Sequence, residues 1–424
     1  MLSIEDNKML IETGANTPMG KLFRRYWIPA LLSEELPAPD CPPVRVTLLG
    51  EKLVAFRDSN NQIGLLDEHC PHRKASLFFG RNEEGGLRCV YHGWKFDACG
   101  KCVDMPSEPP ESNFKNKVTI KSYPCQEYGG IIWTYMGPPD EMPDQPVFEF
   151  TLVPPSHRYF SRRIQESNYF QAIEGGIDSS HISFLHRRVH ENPTPTQLAV
   201  ENGAPKFEVT KTDYGLLIGA RRDTKEENIY WRITQFVMPW YALIPPTTNN
   251  SKLRTGHAWV PMDDENCWHW TFSWIPESPI KEADLAKMKE GDHELHAALI
   301  PGTLRPVQNK DNNYLIDREL QASKKNYSGI KGIGIQDAAV QESAGVIVDR
   351  SKERLGTSDA AIIVARRVML NAAQGLENGV NPPGLDVEQL KVRAASVMLP
   401  RGVPFQEGAS ELLKLNEDDF VYSY

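Results

Sequence analysis

Two short loops constrain this chain more than any other feature, because each brings one cysteine and one histidine: Cys70-Pro71-His72 and Cys89-Val90-Tyr91-His92. The pattern is C-x-H-x16-C-x2-H, with turn residues at both loops, Pro71 in the first and Gly93 just after the second. Two thiolates and two imidazoles can make a tetrahedral zinc site. Zinc sites of that composition, however, usually take both cysteines from one short loop and both histidines from another. One of each per loop suits an unsymmetrical pair of irons, one held by two cysteines and the other by two histidines. Imidazoles donate less charge than thiolates, so such a centre accepts an electron readily.

The remaining cysteines carry less. Cys99 and Cys102 form a C-x2-C inside Asp97-Ala-Cys-Gly-Lys-Cys, which reads as a hairpin turn with two free thiols. Cys41, Cys125 and Cys267 have no partner by spacing and are expected to be buried as small hydrophobes. The odd total of seven argues against a disulfide framework. Glu5 and Asp6 stand where a secretory signal would be basic and then apolar, so a cytoplasmic location is expected. The longest apolar run, Ala360–Ala365, is far short of the roughly 20 residues that span a bilayer.

A chain of 424 residues suggests two or three domains. Its apolar fraction of 40% and charged fraction of 24% suit a globular protein and exclude a disordered or fibrous one. A net charge of −9, with no basic block, lacks the footprint of a general nucleic-acid binder. Residues 1–25 read as a helical lead-in. Val44–Leu49, Lys52–Phe56, Ile63–Leu66 and Gly130–Tyr135 are strand candidates, spaced as in a small β-sandwich or barrel. The proline-rich stretch from Pro138 to Pro146 marks a boundary, giving domains 1–140 and 141–424. In the second domain, Gly215–Ala220, Ile229–Met238, His257–Val260 and Trp268–Trp274 read as strands. Residues 167–188 read as helical but broken at Gly175-Gly176, and 279–300 and 337–375 also read as helical. The class is α+β, helices on an antiparallel sheet.

A second constellation lies between residues 168 and 186. Asn168, Gln171 and Glu174 recur at i+3 and form one stripe on a helix, and Asp178 and His181 can touch. His181 and His186, five apart, would point about 140° from each other on a regular helix. They share a ligand only where the helix is irregular or ends; otherwise the segment is a polar helix face carrying two unrelated histidines. Two histidines and a carboxylate on one face of a metal form a non-haem Fe(II) site with open positions. Asp337, after the glycine-rich turn of Gly329, Gly332 and Gly334, is the choice of carboxylate. Glu342 is its rival, and helix capping is the plainer reading of Asp337.

Together these residues resemble the terminal oxygenase component of Rieske non-haem iron oxygenases along essentially the whole chain. The subgroup they look most like is the phthalate dioxygenase-like group of aromatic-acid oxygenases. Thr17–Trp27, Asn82–Phe96 and Gln336–Ser343 look like that group's signatures. The resemblance implies an all-β Rieske domain followed by a helix-grip catalytic domain. It implies that Cys70, His72, Cys89 and His92 bind a [2Fe-2S] cluster, and that His181, His186 and Asp337 bind a mononuclear Fe(II), with Asn168 near it. Asp178 is expected to bridge a Rieske histidine of a neighbouring subunit to His181, in a head-to-tail trimer or a stacked hexamer.

The reaction so implied is ring dihydroxylation of an aromatic carboxylate, using O2 and electrons from a flavin and iron–sulfur reductase or a ferredoxin. O-demethylation of a methoxylated aromatic acid uses the same metals and electrons, so the motifs do not separate the two. A small Rieske electron carrier is a rival from another class, against which the second ligand set and the length of the chain count. A zinc-binding structural protein, which would be colourless, is a third. A substrate carboxylate needs a cationic or multi-donor partner. Among Arg221, Arg222, Arg232 and Arg254, the alternation of Arg232 with Tyr230, Thr234 and Phe236 suits a cavity wall, but a solvated surface position is the plainer reading of each and no arginine is assigned. His293 and His296 read as a solvated helix face.

Overall fold

The computed structural model describes residues 2–109, 111–187, 202–224, 227–246 and 252–415. It divides into two compact units. One is Phe23–Pro143; the other joins Met1–Leu22 to Asp144–Tyr424. The division falls within the proline-rich stretch, a little beyond residue 140. The lead-in, grouped above with the first domain, belongs to the second. Helix Ile4–Ile11 buries Leu10, and Tyr169 and Asn168 donate side-chain hydrogen bonds to the carbonyls of Leu10 and Ile11. A short amphipathic helix declares that it needs an apolar surface, not which one.

The smaller unit is built from three antiparallel sheets. One orders Trp27–Leu32, Ile131–Tyr135 and Cys125–Tyr128; a second orders Val44–Leu48, Glu51–Arg57, Ile63–Asp67 and Ser122–Tyr123; the third orders Arg81–Glu83, Gly86–Arg88, Lys95–Phe96 and Cys102–Asp104. Cys70 and Cys89 lie in a core with Phe56, Leu66, Leu87, Trp94 and Phe96. The first Cys/His loop follows strand Ile63–Asp67, and the second connects Gly86–Arg88 to Lys95–Phe96.

The larger unit is an eight-stranded antiparallel sheet in the order Arg158–Gln165, Cys267–Trp274, Arg254–Pro261, Tyr241–Ile244, Asn228–Val237, Gly215–Asp223 and Lys206–Thr212. Ala395–Pro400 pairs with the first half of Asn228–Val237. Strand Cys267–Trp274 shows how the sheet serves a site. Trp268, Trp270, Phe272 and Trp274 share one face, as their period of two implies, and His269, Thr271 and Ser273 share the other; all are buried. Helices Tyr169–Ile177, Ile333–Ser343 and Ala360–Glu377 pack against this sheet or against one another.

Three helical expectations change. The Gly175-Gly176 pair does not break the helix, which runs through it to Ile177. A Cβ on Gly176 would come within 2.1 Å of the Trp259 ring, so the glycine allows close approach to the sheet. The 279–300 segment is helical only over Glu282–Glu290, ended by Gly291 at φ +73°. His296 is therefore not on a solvated face but buried, bonded to the hydroxyls of Ser161 and Ser273. The 337–375 segment is two helices, with a connection after Ser343.

Candidate metal centres

The two Cys/His loops share one backbone geometry. In the first, Cys70 N donates to Ala75 O and Lys74 N to Cys70 O, each at 2.9 Å. In the second, Cys89 N donates to Trp94 O at 2.8 Å and Gly93 N to Cys89 O at 3.0 Å. Both loops turn on a left-handed residue four after the cysteine, Lys74 at φ +61° and Gly93 at φ +79°. Identical turns therefore point both thiols inward, where Cys70 and Cys89 are buried. The two imidazoles lie nearer the surface, ring centroids 4.5 Å apart. His72 stacks on Trp94 at 4.3 Å and 7°, and the Trp94 Nε1–H donates to Ser107 Oγ. Trp94 was not singled out in the sequence; only its place directly after the second loop marks it.

Burial and, secondarily, the neighbouring Cys89 push the Cys70 thiol up to about 11, so a metal binding there must displace a proton. A single tetrahedral ion would draw all its donors within about 4 Å of one another. Among the described residues, the one group of His, Cys, Asp or Glu with three donor atoms within 4.8 Å of each other lies elsewhere, at His181, His186 and Asp337. The spread of the Cys/His donors, sulfurs inside and nitrogens outside, suits two irons better than one zinc. The C-x2-C is the expected turn, with the Asp97 carboxylate accepting from Cys99 N and Lys101 N; Cys99 is exposed and Cys102 buried.

The second centre forms where helix Tyr169–Ile177 stops. Asp178 is its C-cap in an extended conformation, and its carboxylate accepts from Ser180 N and His181 N. A single 3-10 turn, His181–Ser183, follows. This irregularity removes the angular objection to His181 and His186, whose Nε2 atoms stand 3.0 Å apart. Asp337 Oδ1 lies 3.5 Å from His181 Nε2 and 3.3 Å from His186 Nε2. Ligands at right angles on a metal with bonds of about 2.1 Å sit about 3.0 Å apart, so the triangle has the size of one face of an octahedron.

The outer atoms of the two rings are engaged. His181 Nδ1 lies 3.3 Å from Asp178 Oδ2, and His186 Nδ1 lies 2.7 Å from Gln336 Oε1. Both acceptors require Nδ1–H, which leaves both Nε2 lone pairs facing the Asp337 carboxylate. Three electron-rich atoms held together in this way fit a divalent cation. Burial works against charge on Asp178, yet its bond from His181 holds its pKa below the usual carboxylate range. Burial likewise opposes charge on Asp337, and His186 and His181 hold it low. Against its own burial, His181 is raised by Asp178 and Asp337.

Asp337 lies inside helix Ile333–Ser343, whose N-cap is Gly332, so it is not a cap. Glu342 faces away from the triangle, accepting from Tyr314 OH and Glu166 N. Asn168 is a correction. Its side chain caps the far end of helix Tyr169–Ile177 by accepting from Phe170 N, and donates to Ile11 O and Asp264 O. Nine helical residues, about 14 Å, lie between it and Asp178. The rest of the polar stripe is structural too. Gln171 bonds the carbonyls of Gln341 and Gly345, and Glu174 takes Arg350 in a bidentate pair and Arg366 at 2.6 Å.

A cavity of about 540 Å³ opens beside the triangle, lined by His181, His186 and Asp337, by Arg232 and Thr234, and by His257 and His269. Arg232 thus lines the cavity and is buried, not solvated at the surface. Arg222 is buried and bonds Ser179, steadying the turn after Asp178, while Arg221 pairs with Asp223 and Arg254 with Glu149 and Glu277.

Comparison with known proteins matches residues 26–124 to the Rieske [2Fe-2S] domain and residues 134–410 to the family described as LigXa C-terminal domain like. The oxygenase subunit of 3-chlorobenzoate-3,4-dioxygenase from Comamonas testosteroni is 40% identical over 96% of this chain and 97% of its own. The chain belongs to the Rieske non-haem iron oxygenases. The oxygenase subunit of phthalate 4,5-dioxygenase from Pseudomonas putida is 37% identical, covering 93% of this chain and 92% of that one. That of 5,5'-dehydrodivanillate O-demethylase from a Sphingobium strain is 32% identical over 91% and 84%. Among solved structures, a Pseudomonas putida CBB5 NdmA mutant with caffeine shares the fold. Its TM-score is 0.60 and its identity 17%, covering 92% of this chain and all of that one. As a member of this family the oxygenase carries a Rieske [2Fe-2S] cluster and a mononuclear iron, and works with a separate electron-transfer partner. No helix among the described residues is long and apolar enough to cross a membrane.

Proposed function

We propose that this oxygenase dihydroxylates the ring of an aromatic carboxylate, using O2 and two electrons delivered by a reductase or ferredoxin. The observation that carries the reading is a single cavity whose wall holds both the His181–His186–Asp337 triangle and the Arg232 guanidinium. In this reading Cys70, Cys89, His72 and His92 hold the cluster, and the triangle holds the mononuclear iron. Bound there, the two centres supply electrons and O2 activation. The chain's own residues do the rest. Arg232 takes the carboxylate by a charge-assisted hydrogen bond, and Trp259, Ile244 and Leu253 pack on the ring.

Asp178 is the electron bridge. Its carboxylate fixes the tautomer of His181, and its edge is partly exposed, open to an imidazole N–H of a neighbouring subunit's cluster. A head-to-tail ring, a trimer or two stacked as a hexamer, provides that neighbour. Exposed apolar side chains support such packing. Val90 and Tyr91 directly precede His92 on the cluster loop, and Phe184, between His181 and His186 in the chain, packs with Tyr327.

The test is a single turnover. Anaerobically reduced, iron-replete protein is mixed with O2 and with benzoate, 3-chlorobenzoate, phthalate or a methoxylated benzoate, and products are read by mass spectrometry. A product that gains two oxygens and two hydrogens supports the proposal. Loss of a methylene with formaldehyde assigns demethylation instead, and absence of any product with both metals present rejects the substrate class.

A further inference from the structure

Two carboxamides in the wall of the iron cavity take no part in holding the metal. Gln165 ends strand Arg158–Gln165. Gln341 follows Asp337 by four residues on helix Ile333–Ser343, so it lies on the same face, about 6 Å further along. Gln165 Nε2 donates to Gln341 Oε1 at 2.6 Å and, at 3.5 Å, to Ser167 Oγ, which uses both of its hydrogens. Gln165 Oε1 and Gln341 Nε2 take no partner among the described residues, although Gln165 is only 1% exposed. Turning both amides over exchanges the atoms and leaves the same balance, one unspent acceptor and one unspent donor.

The sequence makes room for this pair. A Cβ on Gly175 would come within 2.1 Å of Gln341 Nε2, just as one on Gly176 would meet the Trp259 ring. Glycine inside a helix gives up stability relative to alanine. The two adjacent glycines therefore both serve the cavity: Gly176 seats an apolar ring, and Gly175 leaves space for the Gln341 carboxamide. A buried amide atom without a partner destabilises the free protein, and a ligand that completes it binds more tightly for that reason.

The small ring substituent that accepts from one amide and donates to the other at once is a hydroxyl. A chlorine or a methoxy group offers the unspent carbonyl oxygen no proton, and a carboxylate sets its own charge against that oxygen. We infer that the Gln165–Gln341 pair is a specificity subsite for a ring hydroxyl, and that the substrate is a hydroxylated aromatic acid. Arg232 stands four strands away in the same sheet, so the hydroxyl is meta or para to the carboxylate and not beside it. This inference rests on the aromatic-acid reading above and narrows it.

The experiment is anaerobic calorimetric titration of the iron-loaded holoenzyme with benzoate and with its hydroxy, chloro and methoxy derivatives, each substituted meta or para. At one of those positions the hydroxy acid should bind about fivefold to tenfold more tightly than its chloro and methoxy counterparts. Gln165→Leu and Gln341→Leu should each bring that ratio to within about twofold and keep benzoate within about twofold of wild type. Hydroxy acids no tighter than chloro acids at both positions, with benzoate still bound, would overturn the subsite and leave the aromatic-acid reading standing. Binding of no aromatic acid would overturn both. A hydroxyl preference that survives both substitutions would remove the pair from recognition. The wild-type series decides the inference even where a variant fails to fold.

Discussion

The Nε2 atoms of His181 and His186 face each other at 3.0 Å while their Nδ1 atoms are occupied by Asp178 and Gln336. In the bare protein this opposes two lone pairs unless one ring takes up a proton, and a shared cation relieves the repulsion while keeping both Nδ1 bonds. The outer partners therefore set the affinity of the site as much as the ligands do.

Gln336 tests that dependence. Its Oε1 accepts from His186 and its Nε2 donates to Ile330 O at 2.7 Å, so the carboxamide is fixed at both ends. Gln336→Leu should lower Fe(II) affinity about 10- to 100-fold, measured by competition with a chelator, and leave the visible absorption of the cluster unchanged.

Asp178→Asn should keep both metals and lose most turnover, since the amide cannot accept from an imidazole on each side as the carboxylate does. Rapid mixing of reduced variant with O2 and substrate would show the cluster staying reduced. Cluster oxidation at the wild-type rate would remove Asp178 from the electron route.

Glu174 pairs with both buried Arg350 and buried Arg366, and Arg366 also reaches Glu353. Glu174→Ala leaves the buried Arg350 without its carboxylate and Arg366 with Glu353 alone, and should destabilise the larger unit by about 3–5 kcal/mol, read as a fall in Tm. A change near zero would mean the arginines find water.

In the cluster loops the two left-handed turns predict opposite responses. Gly93→Ala places a Cβ 2.6 Å from Pro106 Cγ at φ +79°, and should cost about 1–2 kcal/mol in backbone strain alone, with loss of cluster absorption. Lys74→Gly relieves φ +61° and should retain the cluster in full.

Much of this was legible beforehand because it is local. The Cys/His loops, the Asp178–His181 contact and the alternating Trp268–Trp274 strand each follow from spacing within a few residues. Asp337 was reached by resemblance and by its place after a glycine-rich turn, and the geometry puts it on the triangle. What failed was tertiary. Asn168 carries the same polar signature whether it caps a helix or faces a metal, and only the backbone of Ile11 and Asp264, far along the chain, decides. His296 reads as surface until Ser161 and Ser273 close over it. Arg232 could be placed on a strand face, but which face borders the cavity depends on helices from elsewhere in the chain.

The central claim is that one chain holds two separate iron centres on two separate ligand sets. Iron and acid-labile sulfide, counted together in wild type, His186→Ala and Cys89→Ser, test it most directly. The account predicts about three irons and about two sulfides per chain in wild type, about two and two in His186→Ala, and about one iron and no sulfide in Cys89→Ser. Loss of sulfide in His186→Ala, or full iron in either variant, would contradict it.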